Sequence, residues 1–216
     1  MSKNLKKRIL TSITLFIILF SMFINNYVLG YFILVTGILS IIDFTKMIQT
    51  IFNNFRLKQL IINLFFITYI FSFCFIFFIF STFFHLKIIL FLLIIVCIAS
   101  DIGGFIFGKI IKGPKLTKIS PNKTISGSIG SLVFSSLITI IFFYYATKNI
   151  NLEILIIGLT TSISCQTGDL FFSLLKRKSL FKDSGNYLPG HGGILDRIDG
   201  ILFGVPVGFL TLLIIY

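Results

Sequence analysis

Residues 60–108 read LIINLFFITYIFSFCFIFFIFSTFFHLKIILFLLIIVCIASDIGGFIFG and hold only two charged side chains, Lys87 and Asp101. A bilayer crossing takes about 20 apolar residues in a helix, and this stretch, interrupted near His85 and Lys87, supplies two. A water-soluble fold of this size has no way to bury such runs on one face of each element. Working outward, similar segments place apolar helices at roughly 6–24, 27–42, 60–83, 86–108, 125–146, 152–173 and 198–216. The expected fold class is all-α: a polytopic bundle of about seven transmembrane helices with cytoplasmic polar loops. The first two are joined only by Asn25 and Asn26 and read as a hairpin, and the amphipathic stretch Asp43 to Gln59 is expected to ride the interface.

Composition agrees. Of 216 residues, 56% are hydrophobic and 12% charged, and 28 are Phe; the mean hydropathy is +1.03, beyond any ordinary globular chain. Lys3, Lys6, Lys7 and Arg8 precede an apolar run as in a signal sequence, but no convincing small-residue cleavage site follows, so a retained first helix is expected. Cys74, Cys97 and Cys165 lie inside apolar segments with no CxxC, which reads as core and not as a metal or redox site.

The net charge of +12 would suggest nucleic acid in a soluble chain; here it reads as topology, with no nucleic-acid partner. A cytoplasmic N-terminus puts every basic residue except Lys87 and Lys148 on the inner side, as the positive-inside rule asks. Asp43, Asp101, Asp169, Asp183, Asp196 and Asp199 fall on or near the same side, with Glu153 the exception. Acids contribute little to orientation, so they need another reason to be there. The expected location is a bacterial-type inner membrane, with the active site cytoplasmic.

Asp169 stands near the inner end of the sixth helix, with Ser173 four residues on and Lys176 continuing the same face. An acid at such a depth costs about 2.5–3.5 kcal/mol on insertion scales and is by default a site; the alternative is a structural ion pair with a neighbouring Lys. The polar run from Lys182 to Asp199 brackets His191 with Gly190, Gly192 and Gly193, and such glycines let backbone N–H groups approach a phosphate. Asp196 and Asp199, spaced i, i+3 as the seventh helix opens, are candidate ligands alongside Asp169 and Ser173, and hard oxygen donors of this kind suit Mg²⁺. Asp199 also reads as a helix N-cap. A second polar loop, Ser120-Pro121-Asn122-Lys123-Thr124, enters the fifth helix as a phosphate cradle. Asp101, followed by Gly103, Gly104 and Gly108, adds an acid to an apolar helix built for close packing.

From Ser173 through Lys176-Arg177, Lys182-Asp183 and Leu188-Pro189-Gly190-His191-Gly192-Gly193 to Asp196-Arg197-Ile198-Asp199, the chain resembles the signature of phosphatidate cytidylyltransferase, or CDP-diacylglycerol synthase. Asp101 to Lys109 and Ser120 to Thr124 resemble two further segments of that family, so the likeness covers about the C-terminal half; residues 1–85 match only in character. The family's usual Trp-Glu pair before Gly is replaced by Ile125 and Ser126, which puts that glutamate's role in doubt, and the chain has fewer N-terminal helices than many bacterial relatives.

The resemblance implies an N-terminal region of membrane helices, 1–85, and a catalytic region, 86–216. It implies that CTP and phosphatidic acid yield CDP-diacylglycerol and pyrophosphate with Mg²⁺, the number of cations being open, in a homodimer. Asp169 and Asp196, with Ser173 and Asp199, would hold the metal; Lys176, Arg177, Arg197 and His191 would act on the phosphates. Substrate contacts would come from Asp101, Ser120, Asn122, Lys123, Thr124, Ser173, Lys182, Asp183, Gly192 and Gly193. His191 is read as positioning a phosphate or the loop in a direct displacement, in preference to forming a covalent cytidylyl intermediate. A CTP-dependent lipid kinase shares several of these features. The CDP-alcohol phosphotransferases need an Asp-Gly-x-x-Ala-Arg core that this sequence does not contain, and a transporter would be expected to place charges near the midplane on broken helices in related halves.

Overall fold

The computed structural model describes residues 3–117, 119–121, 123–149, 151–181, 183–185 and 193–215, with side chains from Ile13 onward. These residues form seven helices: α1 (Lys3–Ile24), α2 (Asn26–Ile51), α3 (Arg56–Thr82), α4 (Phe84–Ile110), α5 (Ile125–Thr147), α6 (Leu152–Lys178) and α7 (Leu195–Ile215). No strand occurs among them; one isolated bridge pairs Lys115 with Thr124. Helices α2 to α7 are each long and apolar enough to cross a membrane, while the described apolar part of α1, Ile13–Ile24, is shorter. The chain is an all-α, polytopic membrane protein.

Three expected boundaries move. The stretch from Asp43 to Gln59 does not lie as one interfacial segment: α2 runs on to Ile51, and α3 begins at Arg56. The reason is the buried stripe of α2, which passes through Gly37, Ser40, Asp43, Phe44, Met47 and Ile48 at helical spacing without a break. Helix α6 continues past residue 173 to Lys178, because Lys176, Arg177 and Lys178 fill its last turn, where cations meet the negative end of the helix dipole. Helix α7 opens at Leu195 with Asp196 in its first turn, at the positive end. Asp199 is therefore inside the helix and is not its cap.

The chain forms two compact units, one of residues 1–87 with 175–198 and one of 88–174 with 199–216. In the first, α2 packs on α3: Phe44 stacks on Phe66 with ring centroids 3.7 Å apart. Gly37 admits the facing Cys74, whose Sγ would lie 3.0 Å from a Cβ added there. Lys87 is buried and donates to Asn26 Oδ1 at 2.6 Å.

In the second unit, small residues bring helix backbones together, the usual membrane solution where lipid offers no hydrophobic drive. A Cβ on Gly127 of α5 would sit 2.8 Å from the Gly104 carbonyl oxygen of α4, and one on Gly200 of α7 2.6 Å from Cys165 Sγ. A seam of hydroxyls crosses this packing. Ser131 donates to the Ser100 carbonyl at 2.7 Å, Ser100 and Ser162 share a 2.8 Å hydrogen bond, and Gln166 donates to Ser162 Oγ and to the Ser128 carbonyl, both at 3.3 Å.

Candidate active site

In the second unit the site begins where α5 begins. Thr124 caps that helix, its Oγ1 accepting from Gly127 N–H at 3.1 Å, which satisfies one of the free N–H groups of the first turn. The preceding loop is tied down by its own backbone: Leu116 N–H donates to the Lys123 carbonyl at 2.8 Å, Ile125 N–H to the Pro114 carbonyl at 3.0 Å, and Lys123 N–H to the Ser120 carbonyl at 3.1 Å. So held, Lys123 reaches α6 and pairs with Asp169 Oδ2. Both side chains stay partly open, 26% and 30% exposed. Ser126 donates to the Lys112 carbonyl and hydrogen-bonds Thr124 at 3.1 Å; it fastens the loop.

Other expected residues of this unit stand apart from that pair in character. Ser173 is half-buried one turn beyond Asp169 on α6, and Asp101 is exposed on α4, with Cys165 Sγ 3.9 Å from its Oδ1. Asp199 is buried and accepts from Gly200 N–H at 2.9 Å.

In the first unit a second lysine–carboxylate pair forms. Lys176 of α6 donates to Asp196 Oδ1 at 2.7 Å, while Oδ2 of the same carboxylate accepts from Ser184 N–H at 2.8 Å and Gly193 N–H at 3.1 Å. This pair is the more enclosed, at 16% and 10% exposure. Three donors to one carboxylate keep it charged and aligned. Arg177, Asp183 and Arg197, chain neighbours of Lys176, Ser184 and Asp196, are exposed. Asn122, Lys182, His191 and Gly192, also expected in the site, lie outside the described residues.

Sequence reasoning missed Asp43. It is fully buried on α2, and its Oδ2 accepts from Ser184 Oγ–H at 3.3 Å and Leu195 N–H at 3.4 Å. A signal existed: an acid on the buried stripe of a membrane helix costs about 2.5–3.5 kcal/mol and marks a site by default. The expectation of an interfacial segment hid it.

A family model described as the cytidylyltransferase family matches residues 2–215. The chain belongs to this family. Among curated members it is similar to the phosphatidate cytidylyltransferase of Staphylococcus haemolyticus (strain JCSC1435), 44% identical over 110 residues, 50% of this chain and 42% of that protein. The Staphylococcus saprophyticus protein of the same name is 43% identical over 124 residues, 56% of this chain and 47% of its own. The Helicobacter pylori (strain J99) protein, also so named, is 40% identical over 112 residues, covering 52% and 42%. In each comparison with these cytidylyltransferases the matched stretch spans less than half of the relative.

Proposed function

We propose that this chain transfers the cytidylyl group of CTP to phosphatidic acid, giving CDP-diacylglycerol and pyrophosphate. The observation that carries the reading is the pair of lysine–carboxylate contacts, Lys123 with Asp169 and Lys176 with Asp196, in a membrane chain of the cytidylyltransferase family whose relatives bear the name phosphatidate cytidylyltransferase. Each contact joins a group that binds phosphate to a group that binds a hard cation.

A phosphate oxygen of the lipid attacks the α-phosphorus of CTP; a new P–O bond forms as the bond to pyrophosphate breaks, and the electron pair leaves with pyrophosphate. The lipid phosphate already carries roughly −1.5 to −2 charge near neutral pH, so no strong protein base is required. The work is to bring two polyanions together in line and to neutralise charge on the leaving group. In the second unit an incoming phosphate competes with Asp169 for Lys123; in the first, an incoming phosphate competes with Asp196 for Lys176, with Arg177 and Arg197 adding charge; His191 orients a phosphate or its loop.

Among the described residues no three His, Cys, Asp or Glu side chains gather as a metal-binding group. Mg²⁺ does not require one: it takes one or two carboxylates and completes its octahedron with water and substrate phosphate oxygens. The donors present fit that habit. One unit offers Asp169, with Ser173 and Asp199; the other offers Asp196. Bound there, Mg²⁺ supplies charge neutralisation at the pyrophosphate.

The basic ends of the helices are read as cytoplasmic, in a bacterial-type inner membrane, so the lipid arrives from the inner leaflet and CTP from the cytosol. The homodimer is carried from the family resemblance alone. The test is incubation of purified protein in detergent with CTP, phosphatidic acid and Mg²⁺. CDP-diacylglycerol with pyrophosphate is the expected product; a phosphorylated lipid alcohol with CDP, from a mixed-lipid incubation, would make it a lipid kinase.

A further inference from the structure

We propose that Asp43 is a positioning residue for the reaction, a buried carboxylate that holds the approach to α7 in the register Asp196 requires. The proposal rests on the cytidylyl-transfer reading for its effect on turnover, and on the geometry of the first unit for the contact itself.

Asp43 has zero exposure, and one of its oxygens does two jobs. Oδ2 accepts from Ser184 Oγ–H at 3.3 Å and from Leu195 N–H at 3.4 Å. Leu195 is the first residue of α7, and its N–H is one of the four that a helix start leaves without an internal partner. Asp43 thus caps α7 from a different helix, 152 residues away in the chain.

The segments it grips are the ones that grip Asp196. Ser184 gives its hydroxyl to Asp43 and its N–H to Asp196, and Gly193, two residues before Leu195, gives its N–H to Asp196. A shift of Ser184 or Leu195 would therefore carry the Asp196 carboxylate with it.

The loop is also shaped to receive Asp43. A Cβ on Gly185 would lie 2.5 Å from Asp43 Oδ1, and one on Gly193 2.7 Å from Oδ2. Gly193, which reads in the sequence as room for a phosphate, is with Gly185 equally room for this side chain. Oδ1 is buried with no hydrogen-bond partner among the described residues, an arrangement native structures seldom keep without a use. A longer acid would not fit between the two glycines, whereas asparagine keeps an oxygen for Ser184 and Leu195.

Amide hydrogen exchange and CDP-diacylglycerol formation, both on the full chain in nanodiscs, test the assignment. Asp43→Ala and Asp43→Glu should speed exchange at the Leu195 amide about tenfold, the effect of losing a hydrogen bond to a charged group, and should also speed it at the Ser184 amide, because the Ser184 hydroxyl loses its tether to Asp43. They should lower kcat while leaving KM for CTP little changed, and Asp43→Asn should recover most of both readouts. Unchanged exchange in Asp43→Ala, or wild-type kcat in Asp43→Glu, overturns the proposal. If Asp43→Ala does not assemble, Ser184→Ala removes one donor and spares the carboxylate; it should loosen the residue-184 amide and lower kcat, and no change in either refutes the contact's role. A wild-type protein that makes no CDP-diacylglycerol defeats the cytidylyl-transfer reading, and the exchange rates still decide Asp43.

Discussion

Lys123, on the loop that enters α5, is paired with Asp169 of α6 while both side chains remain open to solvent at 26% and 30%. A half-exposed ion pair contributes only about 0–1 kcal/mol to stability. Its arrangement is better explained by what each partner does when the pair opens: an ammonium free to meet phosphate and a carboxylate free to meet a cation.

Replacing Asp169 by Asn should therefore separate stability from turnover. The protein should insert and unfold within about 1 kcal/mol of wild type, while kcat falls by about 10² or more. Thermal unfolding in detergent and the CDP-diacylglycerol assay check the two halves; wild-type turnover would remove Asp169 from the chemistry.

The Lys176–Asp196 pair should behave differently, being more enclosed. Lys176→Ala leaves Asp196 with its two backbone donors and without its lysine, and should cost about 1–3 kcal/mol of stability as well as activity. Asp196→Asn keeps an acceptor for Ser184 and Gly193 and should fold better than Lys176→Ala, yet turn over no faster. Denaturation midpoints of the two variants, measured side by side, test that order.

Gly193→Ala should destabilise by about 1–3 kcal/mol, because its Cβ would run into Ser184 Oγ and sit 2.5 Å from Gly185 N and 2.7 Å from Asp43 Oδ2. Gly113→Ala offers the contrast of strain without crowding: Gly113 has φ +114° with its nearest contact, Ser126 Oγ, 3.8 Å from the added carbon. The Asp43→Ala background should relieve only part of the shift in unfolding temperature, because Ser184 Oγ and Gly185 N crowd the same carbon; no relief at all would show that Asp43 does not share that space.

Chelation of divalent cations should stop CDP-diacylglycerol formation, and added Mg²⁺ should restore it. The folded protein should keep its thermal unfolding profile through that cycle, since the lysine pairs hold both carboxylates without metal.

In the absence of lipid, labelled pyrophosphate should not exchange into CTP. Direct displacement predicts this outcome; exchange would mean a cytidylylated side chain, with His191 the first to replace.

Much of this molecule was legible from one strand of text. The apolar run read as the fifth helix, 125–146, lies within a residue of the observed span, Ile125–Thr147. Hydropathy was a poorer guide at polar ends: it halts at the first cation, whereas backbone hydrogen bonding continues, so α6 runs on through Lys176 to Lys178. Lys123, Asp169, Lys176 and Asp196 were all nominated as site residues, but their pairing was not, since it joins residues 46 and 20 positions apart. Asp43 was the hardest to see. Its partners lie 141 and 152 residues away, and local pattern carries no trace of a contact at that range.

The hydroxyl seam of the second unit limits how this protein moves. Sliding α4, α5 or α6 along a neighbour would break the hydrogen bonds of Ser100, Ser131, Ser162 and Gln166, each worth about 0.6–2 kcal/mol between membrane helices. The several bonds together hold α4, α5 and α6 in one register, so shear between these three helices costs more than bending of the loops at their ends.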